Sequence, residues 1–273
     1  MNKDRVISSA IMIGLSVMAI FNVWFFLIVM MALTLGALYE FFYLIKKKDI
    51  PIYDYTGILI GGLIPLSIFF QFQPTKGWEL FLIVIMLLII FVMQLTRKTN
   101  QNAIVGISTT LFGVLYVSWL FSFLIKIRFL MPETEYAGVK LLGFILLVTK
   151  CGDMGALIIG SKFGKHPLLP RVSPNKTVEG SIGSAVFSGV VGMISYKFIP
   201  ADFGFAVWQI GLMGVFFGGL GQLGDISESL IKRDCNVKDS GKMLPALGGA
   251  LDSIDSLLFS APPFYFFINS FLQ

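Results

Sequence analysis

The sequence predicts an all-α, polytopic integral membrane protein with about nine transmembrane helices, and three observations carry that prediction. Of its 273 residues, 56% are apolar and 14% charged, against about 25% charged in an ordinary soluble domain. Mean hydropathy is +0.82. The apolar residues lie in continuous runs near the ~20 residues a helix needs to cross a bilayer. They do not alternate with period two, which argues against a transmembrane barrel.

In chain order the runs are Val6–Phe21, Trp24–Leu44, Tyr55–Phe70, Leu80–Leu95, Ala103–Leu124, Val139–Ile159, Ser181–Tyr196, Ala206–Leu223 and Leu251–Phe271. The first lacks a small-residue cleavage site and runs almost directly into the second, so it reads as a span and not as a secretory signal. A cytoplasmic N-terminus puts fifteen Lys and Arg on the inner side, among them Lys46, Lys47, Lys48, Lys162, Lys165, Lys232 and Arg233. Only Lys76, Lys126, Arg128, Lys140 and Lys197 fall outside. The positive-inside rule therefore orients the chain N-in and, with nine spans, C-out.

The net charge of +5 suits an anionic cytoplasmic leaflet. The basic residues are spread over membrane loops, which gives no case for nucleic acid as a partner. Cys151 lies in a span and Cys235 in a cytoplasmic segment, so neither a disulfide nor a zinc site is expected. Composition shifts at Gly138. Residues 1–137 read as a transmembrane scaffold of about five spans. Residues 138–273 read as a catalytic region of about four, because acid, base and glycine appear there in and beside the spans.

Four segments hold that chemistry. Lys150 and Asp153, three apart in the sixth span, share a helix face and can pair. They read as a structural ion pair or as the wall of a polar cavity, since charge at bilayer depth is costly. Ser173-Pro174-Asn175-Lys176-Thr177-Val178-Glu179-Gly180-Ser181 opens the seventh span after a basic loop. A lysine beside hydroxyls at a helix N-terminus suits a phosphate, although a simple helix cap explains the same residues. His166 reads as a surface loop residue.

In the third segment, Asp225, Ser229 and Lys232 stand at i, i+4 and i+7, one face of a helix, followed by Arg233, Lys238 and Asp239. Glu228 reads as an ordinary i, i+4 partner of Lys232. The fourth starts the last span: Gly248-Gly249, then Asp252 and Asp255 at i, i+3. Two carboxylates there either cap the helix or, with Asp225, hold a divalent cation, for which oxygen ligands favour magnesium. The glycines would let backbone approach a ligand closely. Together these point to phosphoryl or nucleotidyl transfer on an anionic substrate. Nucleotide-binding glycine loops and Ser-His or zinc-protease patterns are absent from the sequence.

Ser229-Leu230-Ile231-Lys232-Arg233, Lys238-Asp239, Gly248-Gly249, Asp252 and Asp255 resemble the C-terminal signature of the phosphatidate cytidylyltransferases, the CDP-diacylglycerol synthases. Ser173 to Gly180 resembles a second motif of that family. Asp153 with Ala156 and Gly160 resembles a third. Departures are Pro245-Ala246-Leu247-Gly248-Gly249 where the family usually has Pro-Gly-His-Gly-Gly, Ser253 where an arginine is usual, and Leu157 where a tyrosine is usual.

The resemblance implies magnesium-dependent transfer of CMP from CTP to phosphatidate, with a second cation left open, in a homodimer among membrane lipids. It implies catalytic roles for Lys176, Lys232, Arg233 and Asp225, and substrate contacts by Ser173, Thr177, Glu179, Ser229, Lys238, Asp239, Asp153, Gly248 and Gly249. It also implies metal ligation by Asp225, Asp252 and Asp255. A bacterial inner membrane with a cytoplasmic site fits this expectation. A CTP-dependent lipid-alcohol kinase and a secondary transporter using Lys150 and Asp153 are the competing readings.

Overall fold

The computed structural model describes residues 18–19, 21–134, 136–238, 240–241 and 248–272. Most of the first apolar run, Asp239 and the Pro245-Ala246-Leu247 stretch lie outside them. Among the described residues the chain forms helices α1 (Val23–Lys46), α2 (Asp54–Phe69), α3 (Trp78–Leu95), α4 (Ala103–Arg128), α5 (Ala137–Phe163), α6 (Val178–Ile194), α7 (Val207–Asp234) and α8 (Ala250–Asn269). A two-stranded antiparallel hairpin, β1 (Pro167–Leu169) and β2 (Ser173–Thr177), precedes α6.

Five of these helices, α1, α3, α4, α5 and α7, are long and apolar enough to cross a membrane. Helices α2 and α6 are apolar but shorter, and α8 has the length but opens with Asp252, Ser253, Asp255 and Ser256. The sequence predicts nine spans; five of the described helices are long and apolar enough to cross, α2 and α6 are shorter, and most of Val6–Phe21 lies outside the described residues. Among the described residues the hairpin is an extended element that apolar periodicity does not predict. Its strands carry Pro167 and Pro174, and Pro170 and Arg171 lie in the connection, a composition that favours turns over helix.

The chain divides into two compact units: one of Met1–Ile125 with Asp234–Ile254, the other of Lys126–Arg233 with Asp255–Gln273. In the first, the Asn22 side chain caps α1 by accepting from the backbone N–H groups of Trp24 and Phe25, both at 3.0 Å. Glycines on α2 let α1 and α4 approach: a Cβ on Gly62 would stand 3.1 Å from Leu35, and Ser118 donates to the Gly61 carbonyl. A π-helical turn at Val114–Trp119 interrupts α4. Tyr53 anchors the α1–α2 connection, donating from its backbone to Thr110 Oγ1 at 3.0 Å and from its hydroxyl to Gln94. Arg97 lies 4.1 Å over the Tyr53 ring. Little of α3 is buried within the protein, which suits a lipid-facing helix.

In the second unit α5 and α6 pack through small residues, as membrane helices do where close approach replaces a hydrophobic drive. A Cβ on Gly155 would meet Phe187 Cβ at 2.7 Å and the Gly183 carbonyl at 2.8 Å. Ser188 donates to the Val148 carbonyl at 3.0 Å. Gly192 and Gly214 do the same for α6 against α7, a Gly192 Cβ reaching 3.2 Å from the Gly214 Cα. An aromatic cluster of Phe144, Phe217 and Phe264 fills the space toward α8, with ring centroids 5.7 and 5.1 Å apart.

Candidate active site

The polar residues of the second unit gather where α5, the hairpin, α6, α7 and α8 meet. Glycines on α7 make the gathering possible. A Cβ on Gly224 would lie 3.3 Å from the Ser256 Cα, and one on Gly221 would lie 3.5 Å from the Ser256 Cβ. α8 can therefore sit close enough for Asp255 to reach the acids of α7. Carboxylate oxygens of Asp225, Glu228 and Asp255 lie within 4.8 Å of one another. Glu228 is fully buried and Asp255 nearly so.

Cations surround this cluster. Lys176 Nζ on β2 pairs with Asp225 Oδ1 at 2.7 Å. Lys232 Nζ reaches Glu228 Oε2 at 2.5 Å, the i, i+4 pairing expected from the sequence. Lys150 Nζ stands 3.6 Å from Asp153 Oδ2 and donates to Ser256 Oγ at 2.9 Å, so the sixth-span pair is formed and tied to α8. Arg233 Nε donates to the Val172 carbonyl at 3.1 Å, fixing the end of α7 to the hairpin. Ser229, one turn before, is buried.

Beside these groups opens a cleft of about 520 Å³, within the ~300–1,000 Å³ usual for a small-molecule site. Asp153, Ser173, Lys176, Thr177 and Asp225 line it, with Ala156, Gly160 and Gly180 at points where bulk would close it. Thr177 is also the N-cap of α6: its Oγ1 accepts from Gly180 N–H at 3.1 Å, which leaves its own O–H available as a donor. Capping and cleft lining thus fall on the same side chain.

Glu179 is engaged elsewhere. Its Oε2 accepts from the backbone N–H groups of Lys165 and His166 at 3.0 and 3.3 Å, and its Oε1 meets His166 Nδ1 at 2.6 Å. The His166 hydrogen bond first, and the Lys165 amide next, hold this carboxyl down to about 2. Glu179 and the exposed His166 clasp the loop that carries β1.

The remaining sequence candidates belong to the first unit. Gly248 has φ +99°, a left-handed conformation that favours glycine. Asp252 Oδ2 accepts from Gly249 N–H at 2.8 Å, the reciprocal half of a capping box with Gly249 as N-cap. Lys238 is exposed, and Asp239 lies outside the described residues. The structure therefore gathers Asp225 and Asp255 with Glu228, while Asp252 is bonded at the start of its own helix. Sequence reasoning had assigned Glu228 to its lysine alone. The signal that could have found its second role is the spacing of Asp225 and Glu228, which puts both acids on one helix face.

A family model described as the cytidylyltransferase family matches residues 3–271. The chain is similar to a protein of Bacillus subtilis called phosphatidate cytidylyltransferase, 32% identical over 249 residues that cover 90% of this chain and 89% of that one. A protein of the same name from Synechocystis is 29% identical over 98% of this chain and 97% of its own length. Another, from Staphylococcus saprophyticus, is 43% identical over 130 residues, and there the match spans about half of either chain, 48% and 49%.

Proposed function

The chain belongs to the cytidylyltransferase family, and from that premise we propose that it transfers CMP from CTP to phosphatidate, giving CDP-diacylglycerol and pyrophosphate. The observation that carries this reading is the cleft in which Lys176, paired with Asp225, stands beside two hydroxyls and the Asp225–Glu228–Asp255 cluster. Base, hydroxyl and clustered carboxylate are what a reaction between two phosphate-bearing molecules requires.

A phosphate oxygen of phosphatidate attacks the α-phosphorus of CTP. The bond from that phosphorus to the β-phosphate bridging oxygen breaks, and pyrophosphate leaves with the electron pair. A phosphate monoester is already nucleophilic near neutral pH, so positioning and charge neutralisation supply most of the rate. Lys176 is placed to neutralise a phosphate oxygen, exchanging part of its interaction with Asp225 for the substrate. Ser173 and Thr177 are placed to donate hydrogen bonds to the same group. Lys232 and Arg233 add positive charge at the end of α7. Asp153, held by Lys150, keeps the inner wall of the cleft polar.

The three clustered carboxylates fit magnesium, a hard cation that takes oxygen ligands in a small octahedral shell: Asp225, Glu228 and Asp255 would hold it. When bound, such an ion offsets negative charge on the triphosphate and on the leaving pyrophosphate.

The reading includes a homodimer in a bacterial inner membrane with the cleft facing the cytoplasm. The excess of Lys and Arg on the side that carries residues 162–176 and 232–242 supports the orientation, and CTP is found in that compartment. Dimerisation rests on the family resemblance.

The test is incubation of purified protein with phosphatidate, magnesium and CTP labelled at the α-phosphate. The expected result is a labelled lipid with stoichiometric pyrophosphate. In a parallel incubation with a lipid alcohol in place of phosphatidate, label remaining in CDP with a phosphorylated lipid would identify a kinase instead. Uptake of a solute by proteoliposomes without nucleotide would identify a transporter.

A further inference from the structure

We propose that Glu40 is a positioning residue for the reaction: its buried carboxylate supplies the N-terminal cap of α8, the helix whose first two turns carry Asp252 and Asp255. The reading of sequence placed Glu40 in the scaffold half, far from any motif. In the structure it is 3% exposed on α1, where a polar side chain needs hydrogen-bond partners.

Those partners belong to the signature segment. Glu40 Oε2 accepts from Leu251 N–H at 2.9 Å and from Ser240 Oγ at 3.4 Å. Leu251 is the second residue of α8, so its N–H is one of the four that a helix start leaves without an internal acceptor. Ordinarily the N-cap side chain serves that group. Here the N-cap is Gly249, which has no side chain to accept from the helix start; its own N–H donates the reciprocal bond to Asp252 Oδ2. A carboxyl oxygen from another helix stands in for the missing cap.

The glycines of the segment follow from the same contact. A Cβ on Gly241 would lie 2.9 Å from Glu40 Cγ, and one on Gly249 would lie 2.9 Å from Glu40 Cδ. Neither position tolerates a side chain while Glu40 occupies this place. One carboxylate thus accounts for two glycines, a serine and an uncapped helix start. The orientation of α8 sets where its aspartates point, so loosening the cap alters turnover without altering a group that touches substrate.

The experiment compares E40A and E40Q, purified in detergent as full chains. Hydrogen exchange followed by mass spectrometry reads the peptide that includes Leu251. In E40A exchange there should quicken about tenfold, the scale set by losing a cap and leaving a buried donor unpaired. Protection in α5 and α6 should not change. E40Q keeps an acceptor and should remain within about threefold of the wild type.

Turnover should follow the same order: kcat about tenfold lower in E40A, largely restored in E40Q, with KM for CTP within about twofold in both. Wild-type exchange at Leu251 in E40A would overturn the proposal, as would E40Q no better than E40A, or a loss confined to KM. The kinetic arm rests on the proposed cytidylyltransferase activity and the exchange arm does not. An inactive wild type with E40A-specific exchange would therefore sink that activity and leave the cap standing.

Discussion

Lys176 on β2 and Asp225 on α7 are joined by an ion pair of 2.7 Å, and both line the same cleft. The pair links the hairpin to the helix that carries Glu228, Lys232 and Arg233. The Lys176 ammonium is buried against Asp225, whose side chain is 39% exposed, so a phosphate entering the cleft meets the pair from the aspartate side.

If this lysine neutralises a substrate phosphate, K176A should lower kcat by about a hundredfold or more, the usual scale for removing a preorganised electrostatic group. D225N should lower it as well. Because the two act as a unit, the double variant should be little worse than either single one. Steady-state kinetics on the three variants decides it. Additive losses would mean that the residues act separately, and near-normal turnover in K176A would remove it from the site.

Gly155 tests how the cleft is held open. Its missing Cβ gives Phe187 and the Gly183 carbonyl their places, and α5 and α6 carry Asp153 and the Thr177 cap on either side of the cleft. G155V should force the two helices apart at a cost of about 1–3 kcal/mol for overpacking. The melting temperature in detergent should then fall by several degrees, with turnover reduced at temperatures where the protein is still folded. An unchanged melting curve would show that the interface repacks freely.

Much of this was legible in the sequence, and the parts that were not share a physical cause. Helix periodicity placed Lys150 beside Asp153 and Glu228 beside Lys232, and both pairs are formed. Such relations lie within one helix, where spacing alone fixes the neighbours. The hairpin before α6 was missed because it is short, polar and rich in proline, so no apolar period marks it. Glu40 was missed for a different reason. Its partners Ser240 and Leu251 are 200 and 211 residues away, and nothing in the sequence around an acid in an apolar helix says which distant amide it meets. The place of Glu228 in a three-acid cluster was hidden behind its lysine, since an i, i+4 pair looks complete by itself.

The clasp between Glu179 and the 165–166 backbone gives a pH prediction with a definite sign. The carboxyl is held down to about 2 from its ordinary 4.5, chiefly by the His166 hydrogen bond. A depressed acid favours the folded arrangement above its ordinary value and loses that contribution as pH falls through the folded one. The contribution of the Glu179 carboxyl should therefore be fully present above about 4.5 and be lost between there and about 2. Pepsin cleavage within residues 164–172 should be slower in wild type than in E179Q at pH 4.5, and the two rates should converge near pH 2. A constant ratio across that range would place the protection elsewhere.

Glu228 allows stability and chemistry to be separated. Its side chain is fully buried and pairs with Lys232, itself only 13% exposed, at 2.5 Å. Removing one partner of a buried pair leaves the other charge uncompensated, at about 3–5 kcal/mol, so E228M should fold poorly. Replacing both by apolar residues of similar volume is often neutral or stabilising. The double variant E228M/K232M should thus regain a melting temperature near that of the wild type. If the Asp225–Glu228–Asp255 cluster holds magnesium, that same well-folded protein should stay nearly inactive and should bind manganese at least tenfold more weakly by titration calorimetry. The single variant K232M would be expected to lose stability while keeping its three carboxylates. A double variant that both folds and binds the ion normally would exclude Glu228 as a ligand and return the third place to Asp252, for which D252N, measured in the same titration, should then show the loss instead.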